Sequence, residues 1–419
     1  MKNIILAVIV LISFGFVKPC TAQSFFDEII MPDTVNLWCM AINNDGDVFI
    51  GTGGDYTIGG ILRLQSGKDI WETVYSYNSI GFPLCLEIAD NGDIYAGGNS
   101  AAHRLIKSTD NGESWADVEI PGGYNVVAVE FQGADSIMVG RNPSRPIVVH
   151  TTNGGLDWFC DTITSVTNNF IEDIEINSQG EVYACMYCFN SDHGGIYKSD
   201  NFGETWVFDG LLDHQVATIE FNSKGDLFSG DYYVVGNEVP GVYYKAAQSD
   251  EYILVMDAMG ASDIVITNED KLYVCTDYWI YGVSDYGQSV DTIRDELGLN
   301  IRHLEIDNEG YLWGGHELRL IKSKEPVCIS VGIEQESTGN IFRIQPNPSS
   351  NKFRVESLID ENITSIKVID LKGNTLIQRN NINHKVVNID LSEFATGTYI
   401  IQLTYSSHKQ SQKIIKSKP

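Results

Sequence analysis

The chain has 419 residues, 43% of them hydrophobic, with 56 acidic residues against 28 lysines and arginines and a net charge of −28. Such a length allows two or three domains, and such acidity excludes nucleic acid or a polyanionic surface as the partner of the body. The charge is uneven: from Ile341 onward there are 11 basic and 6 acidic residues, so the acidity lies in the preceding body and a domain boundary is expected near residue 340.

At the start, Met1-Lys2, an apolar run from Ile4 to Val17 and the segment "KPCTAQS" predict a signal peptide over residues 1–22, cleaved after Ala22. The run is too short for a spanning helix, and Val17-Lys18-Pro19 before Cys20 lacks the small residues of a lipoprotein site. An exported protein without a transmembrane segment is expected. Seven cysteines remain after cleavage, an odd number that argues against a disulfide framework. Cys185 and Cys188 in "CMYC" have no second ligand pair and read as buried residues or one disulfide rather than a zinc site.

One phrase then recurs: an apolar strand, a polar turn, and a second strand ending near glycine. It starts at Cys39, Cys85, Ala128, Asp173, Thr218, Asp263 and His303, at intervals of 40 to 46 residues. Asn-Gly, Asp-Gly and similar turns close each hairpin, and third and fourth strands follow, as in "GGIYKS" and "TWVFDG". Four strands repeated seven times predict an all-β chain with a seven-bladed β-propeller over residues 24–326. The seventh unit lacks a clear fourth strand, and Ser24–Ile30 is expected to supply it, removing the open sheet edge.

Between the third and fourth strands stand "STDNGESW", "TTNGGLDW" and "SDNFGETW". They resemble the Asp-box, or BNR, repeat through Ser108, Asp110, Gly112 and Trp115, through Thr151, Asn153, Gly155 and Trp158, and through Ser199, Asn201, Gly203 and Trp206. These residues read as structural. The short side chain accepts turn N–H groups, glycine adopts the left-handed backbone and tryptophan fills the space between sheets.

After a linker over 327–340, residues 341–419 change character. Alternating strands, an entry at Pro346-Asn347-Pro348, a turn at Asp370-Leu371-Lys372-Gly373, a strand start at Gly397-Thr398-Tyr399, and the segments Leu391-Ser392 and Lys413-Ile414-Ile415-Lys416 predict a small β-sandwich. In order, they resemble the C-terminal sorting domain of type IX secretion cargo from the Bacteroidetes lineage. The resemblance implies handling by the type IX machinery, passage across the outer membrane, and an extracellular or cell-surface location.

A propeller binds ligands near its axis, on the face opposite the Asp-box turns. The loops there carry Tyr56, Tyr187, Phe189, Tyr232, Tyr233, Tyr278 and Trp279, with Asp55, Asp231 and Asp277 beside them. Aromatic faces with nearby carboxylates suit neutral sugar rings. Asp231 and Asp277 are also the candidates for a glycosidase acid–base pair, depending on their separation. Glu87, Glu130, Glu175, Glu220 and Glu305 occupy the third place of five phrases and are candidates for a carboxylate ring holding a structural calcium ion. The expectation is a non-catalytic recognition propeller for a glycan or other surface component. The alternatives are a glycoside hydrolase of the Asp-box group, sialidase-like or xyloglucanase-like, and a protein-assembly scaffold.

Overall fold

The computed structural model describes residues 24–32, 35–54, 57–76, 82–99, 105–122, 125–133, 135–142, 145–166, 169–188, 194–234, 239–293, 301–328, 342–345, 349, 351–359, 361–370, 375–380, 382–392, 394, 397–405 and 409–416. The expected signal peptide lies outside them, as does most of the expected linker. The chain divides into two compact units.

Seven four-stranded antiparallel sheets form the first unit. Their innermost strands are Leu37–Ile42, Pro83–Ile88, Val126–Gln132, Asn169–Ile176, His214–Phe221, Asp263–Ile266 and His303–Ile306, which begin blades 1 to 7. One device closes the first hairpin in several blades: the side chain just after the innermost strand accepts the N–H four residues on. Asn43 accepts from Asp47, Asn177 from Glu181, Asn222 from Asp226, Thr267 from Lys271 and Asp307 from Tyr311, at 2.8–3.0 Å. The side chain thus satisfies a turn donor that the ladder cannot reach. In blade 7 the outermost strand is Phe26–Ile29, antiparallel to Arg319–Ser323, with Phe26 opposite Ser323 and Ile29 opposite Leu320. The start of the described chain therefore covers an edge that would otherwise be open to pairing.

Alternation buries one side-chain set between each pair of blades. Phe49 and Ile61 of blade 1 pack on Leu86, Ile94 and Ile106 of blade 2. Equivalent clusters repeat around the ring, and the last joins Trp313 and Leu320 of blade 7 to Leu37, Met40 and Ile50 of blade 1. Every blade is held on both faces, so apolar burial closes the circle.

The turns between third and fourth strands are built alike. Ser199 Oγ accepts the Gly203 N–H at 2.9 Å, Asn201 Oδ1 accepts the Thr205 N–H at 3.0 Å, and Trp206 Nε1 donates to Gly203 O at 2.9 Å. Gly203 has φ +91°, which other residues rarely adopt. Ser108, Asp110, Gly112 and Trp115 repeat the pattern, with Ser108 Oγ accepting from Gly112 and Asp110 Oδ1 from Ser114, both at 2.8 Å. In blade 3, Thr151 accepts from Gly155 at 3.1 Å and Asn153 from Asp157 at 3.0 Å. Trp115, Trp158 and Trp206 each pack into the core shared with the preceding blade. Ser199→Ala is expected to cost about 1–2 kcal/mol, because the buried Gly203 N–H loses its acceptor. A urea-unfolding midpoint unchanged from the parent would refute that role.

The second unit has a three-stranded sheet (Phe342–Gln345, Lys352–Ser357, Val386–Asp390) and a four-stranded sheet (Ser365–Asp370, Thr375–Arg379, Gly397–Thr404, Lys409–Lys416). Phe353, Val355, Ile366, Val368, Ile389, Ile401 and Leu403 fill the core between them. Phe342-Arg343-Ile344 forms an ordinary strand of this sandwich. Lys416 is buried, and its ammonium donates to the carbonyls of Leu391 (2.9 Å), Ser392 (3.5 Å) and Phe394. This single cation fastens the last strand to the 391–394 turn.

Candidate functional site

The innermost strands of all seven blades enclose an axial cavity of about 590 Å³. Its upper end is defined by a feature common to five blades. Pairing between first and second strands slips at Leu37/Cys39, Pro83/Cys85, Val126/Ala128, Ile171/Asp173 and Val216/Thr218. The residues skipped are Trp38, Leu84, Val127, Glu172 and Ala217, and all five line the cavity. A bulge re-aims one side chain out of strict alternation; here it does so repeatedly at the same height. Ser262 and Arg302 hold the matching places in blades 6 and 7, each donating its N–H to the second strand, to Cys275 O and Gly315 O.

The resulting mouth is chemically uneven. Trp38 stacks on Phe82 with ring centroids 4.6 Å apart and donates Nε1–H to Gly53 O at 2.7 Å, so its plane is fixed. Leu84 and Val127 continue this apolar sector. Arg302 lies over the Tyr232 ring, 5.2 Å from its centroid. Arg302 Nε and the Tyr232 hydroxyl are both buried without a hydrogen-bond partner. Burial raises the Tyr232 phenol; Arg302 opposes this, and Asp277 and Glu172 add to it. Arg302, Asp277 and Glu172 are therefore each within electrostatic reach of Tyr232. Gly260 makes the approach of Asp277 possible: its N–H donates to Tyr232 O, and a Cβ there would come within 2.8 Å of the Asp277 carboxyl. His303 is pushed down to about 4 by burial, with His316 and Arg302 as positive neighbours.

Below the mouth, two aspartates act as staples. Asp173 accepts the N–H of Ile219 in blade 5 at 3.0 Å, and Asp263 accepts that of Leu304 in blade 7 at 2.7 Å. Glu87, Glu130, Glu175, Glu220 and Glu305 form the next tier, two residues lower and so about 7 Å deeper. Desolvation raises all five, and their neighbours' charges add to it. Glu130 and Glu305 rise to about 8, while Glu87, Glu175 and Glu220 stand well above the usual carboxylate range. The same two effects bring Glu172 and Asp263 to about 7. Among the described residues, no three His, Cys, Asp or Glu converge into a metal-holding group. Burial and mutual charge thus make this tier of carboxyls hard to ionise.

Tyr56 and Phe189, named from the sequence, lie outside the described residues, as does Asp55. Tyr233, Tyr278 and Trp279 are exposed at 55%, 75% and 39%, on blades 5 and 6. Tyr187 is half-buried and pairs with Phe170 in blade 4. Asp231 departs from expectation. It is fully buried, and its Oδ2 meets His214 Nδ1 at 2.6 Å. It forms no open carboxylate pair with Asp277. Cys185 and Cys188 are buried free thiols with no disulfide between them. Trp38, Glu172 and His303 join Arg302 here, and their one signal in the sequence is their place at, or just before, the start of a phrase.

Residues 343–417 match the family model described as the secretion system C-terminal sorting domain. This C-terminal unit is therefore a type IX sorting domain, and it indicates an exported protein, extracellular or at the cell surface. No helix among the described residues is long and apolar enough to cross a membrane. No curated protein sequence matches the chain. Among solved structures, YCF48 bound to D1 peptide is similar at 13% identity, covering 72% of this chain and 97% of that one, with a TM-score of 0.54. Virginiamycin B lyase from Staphylococcus aureus is similar at 13% identity over 71% of this chain and 98% of that one, TM-score 0.57. The extracellular domain of BT3049 from B. thetaiotaomicron covers 94% of this chain and 58% of its own, at 15% identity and a TM-score of 0.57. At these identities the similarity speaks for the β-propeller fold alone.

Proposed function

We propose that this protein is an exported, non-catalytic recognition propeller whose binding face is the one opposite the Ser108–Trp115, Thr151–Trp158 and Ser199–Trp206 turns. The observation that carries this reading is the set of exposed rings on adjacent blades, Tyr233, Tyr278 and Trp279, beside Tyr232 and Asp277. Rings left in water at this density suit the apolar faces of neutral sugars, and Asp277 supplies an acceptor for hydroxyl groups. A hydrolase would need two carboxylates facing each other across an open cleft, and the burial of Asp231 leaves Asp277 without that partner.

A glycan array probed with the exported protein, with reducing-sugar release followed in parallel, tests this reading. Binding of a neutral oligosaccharide without release is expected. Tyr278→Ala and Trp279→Ala should each weaken binding by about 1 kcal/mol, the scale of one ring contact. Sugar release would instead favour the hydrolase, and no neutral glycan bound would sink the carbohydrate reading.

A further inference from the structure

The axial mouth is separate from the exposed rim rings, and its charges have an arrangement of their own. Arg302 in blade 7 and Glu172 in blade 4 sit at the same height, three blades apart, with Tyr232 within electrostatic reach of both. The Trp38–Phe82 pair, Leu84 and Val127 fill the arc between them on the other side. We propose that this mouth binds a short peptide in its zwitterionic form, carboxylate on Arg302, ammonium on Glu172, and an apolar side chain against Trp38, Leu84 and Val127.

Three features support an anion at Arg302. Its cavity holds many carboxylates, yet among the described residues none pairs with the guanidinium. Its Nε is buried without a partner, and the Tyr232 ring holds the group at 5.2 Å. A guanidinium so placed keeps its planar donors for a carboxylate, which it binds in bidentate fashion. His303 and His316 stand beside it and extend the same sector. The acids nearest in height are already used, since Asp173 and Asp263 accept main-chain N–H groups of neighbouring blades.

Glu172 differs from those two aspartates. Among the described residues it has no hydrogen-bond donor, it lies open to the cavity, and it faces the mouth because of the bulge. An ammonium is the complementary group. A free amino acid holds its two charges on one carbon, whereas Arg302 and Glu172 stand on blades three apart around the cavity. A dipeptide or tripeptide separates them by about 7–10 Å, at roughly 3.3 Å or more per extended residue. The apolar arc then takes one side chain, and burial of a large ring there adds affinity. The glycan reading rests on Tyr233, Tyr278, Trp279 and Asp277 and shares Tyr232 with this site, while Arg302 and Glu172 belong to the peptide site alone, so either can fail alone.

Calorimetry on the exported protein tests the proposal with phenylalanyl-glycyl-glycine, its C-terminal amide and its N-acetyl derivative. The zwitterion is expected to bind at least tenfold tighter than either neutralised form. Arg302→Gln should erase the preference for acid over amide and keep that for amine over acetyl; Glu172→Gln should do the reverse. Equal binding of the three peptides, or binding of none, overturns the proposal. If either variant fails to fold by circular dichroism, the comparison of the three peptides on the unaltered protein still decides.

Discussion

Replacing Glu305 with glutamine is expected to raise the melting temperature of the propeller by several degrees at pH 8.5 and to leave it unchanged at pH 4. Desolvation, followed by the charge of Asp263, moves this carboxyl from its ordinary value of 4.5 up to about 8. Below pH 4.5 the folded and unfolded chains both carry the proton, and the group contributes nothing. Between about 4.5 and 8 the unfolded chain ionises while the folded chain keeps its proton, so stability falls as pH rises. Above 8 the cost is complete, and glutamine removes it. Each tenfold change in proton affinity is worth about 1.36 kcal/mol. Glu305 is only half-buried, so water screens it and about 2 kcal/mol is the expected gain. The same logic applies to Glu130, also raised to about 8. The unaltered protein should therefore be most stable in mild acid and lose stability toward pH 8. A melting temperature for Glu305→Gln that matches the parent at pH 8.5 would show that the ring ionises freely.

Much of this architecture was readable because each blade repeats one phrase in one register. The polar cap at Asn43, Asn177, Asn222, Thr267 and Asp307 keeps the hairpin identical while the rest of the sequence drifts. The third-place glutamates were legible for the same reason. The mouth was not, because its residues share a position but no chemistry: Trp38, Leu84, Val127, Glu172, Ala217, Ser262 and Arg302 have no common property. A bulge is a property of backbone pairing, and hydrophobic alternation read along a strand does not reveal it.

Asp231 shows how one residue of register changes chemistry. Aligning blades 5 and 6 on Leu227 and Leu272 places Asp231 against Thr276 and Asp277 against Tyr232. The two aspartates therefore occupy successive positions, and side chains at successive positions point to opposite faces. The second strand of blade 5 also continues to Val234, whereas that of blade 6 stops at Cys275. Asp231 is thus a strand residue between blades, while Asp277 follows a strand end, half-buried and within electrostatic reach of Tyr232.

That placement makes His214→Ala the most damaging single change expected in the propeller. His214 Nδ1 lies 2.6 Å from Asp231 Oδ2, the other carboxylate oxygen is buried without a partner, and the imidazole packs edge-on against Tyr243 at 5.1 Å. Removing the ring leaves a fully buried carboxylate without its hydrogen-bond partner, a change that costs about 3–5 kcal/mol. Burial already raises the Asp231 carboxyl, and His214 is the chief influence opposing it. Without His214 the carboxyl should take up a proton more readily, so the loss should shrink as pH falls from 7.5 to 4.5. Adding Asp231→Asn to His214→Ala should recover part of the stability at pH 7.5, because no charge is then buried. Urea midpoints for the two variants at both pH values measure this directly. A loss below about 1 kcal/mol, or one equal at both pH values, would mean that Asp231 holds its proton even beside His214, since removing a partner from a neutral acid costs only a hydrogen bond.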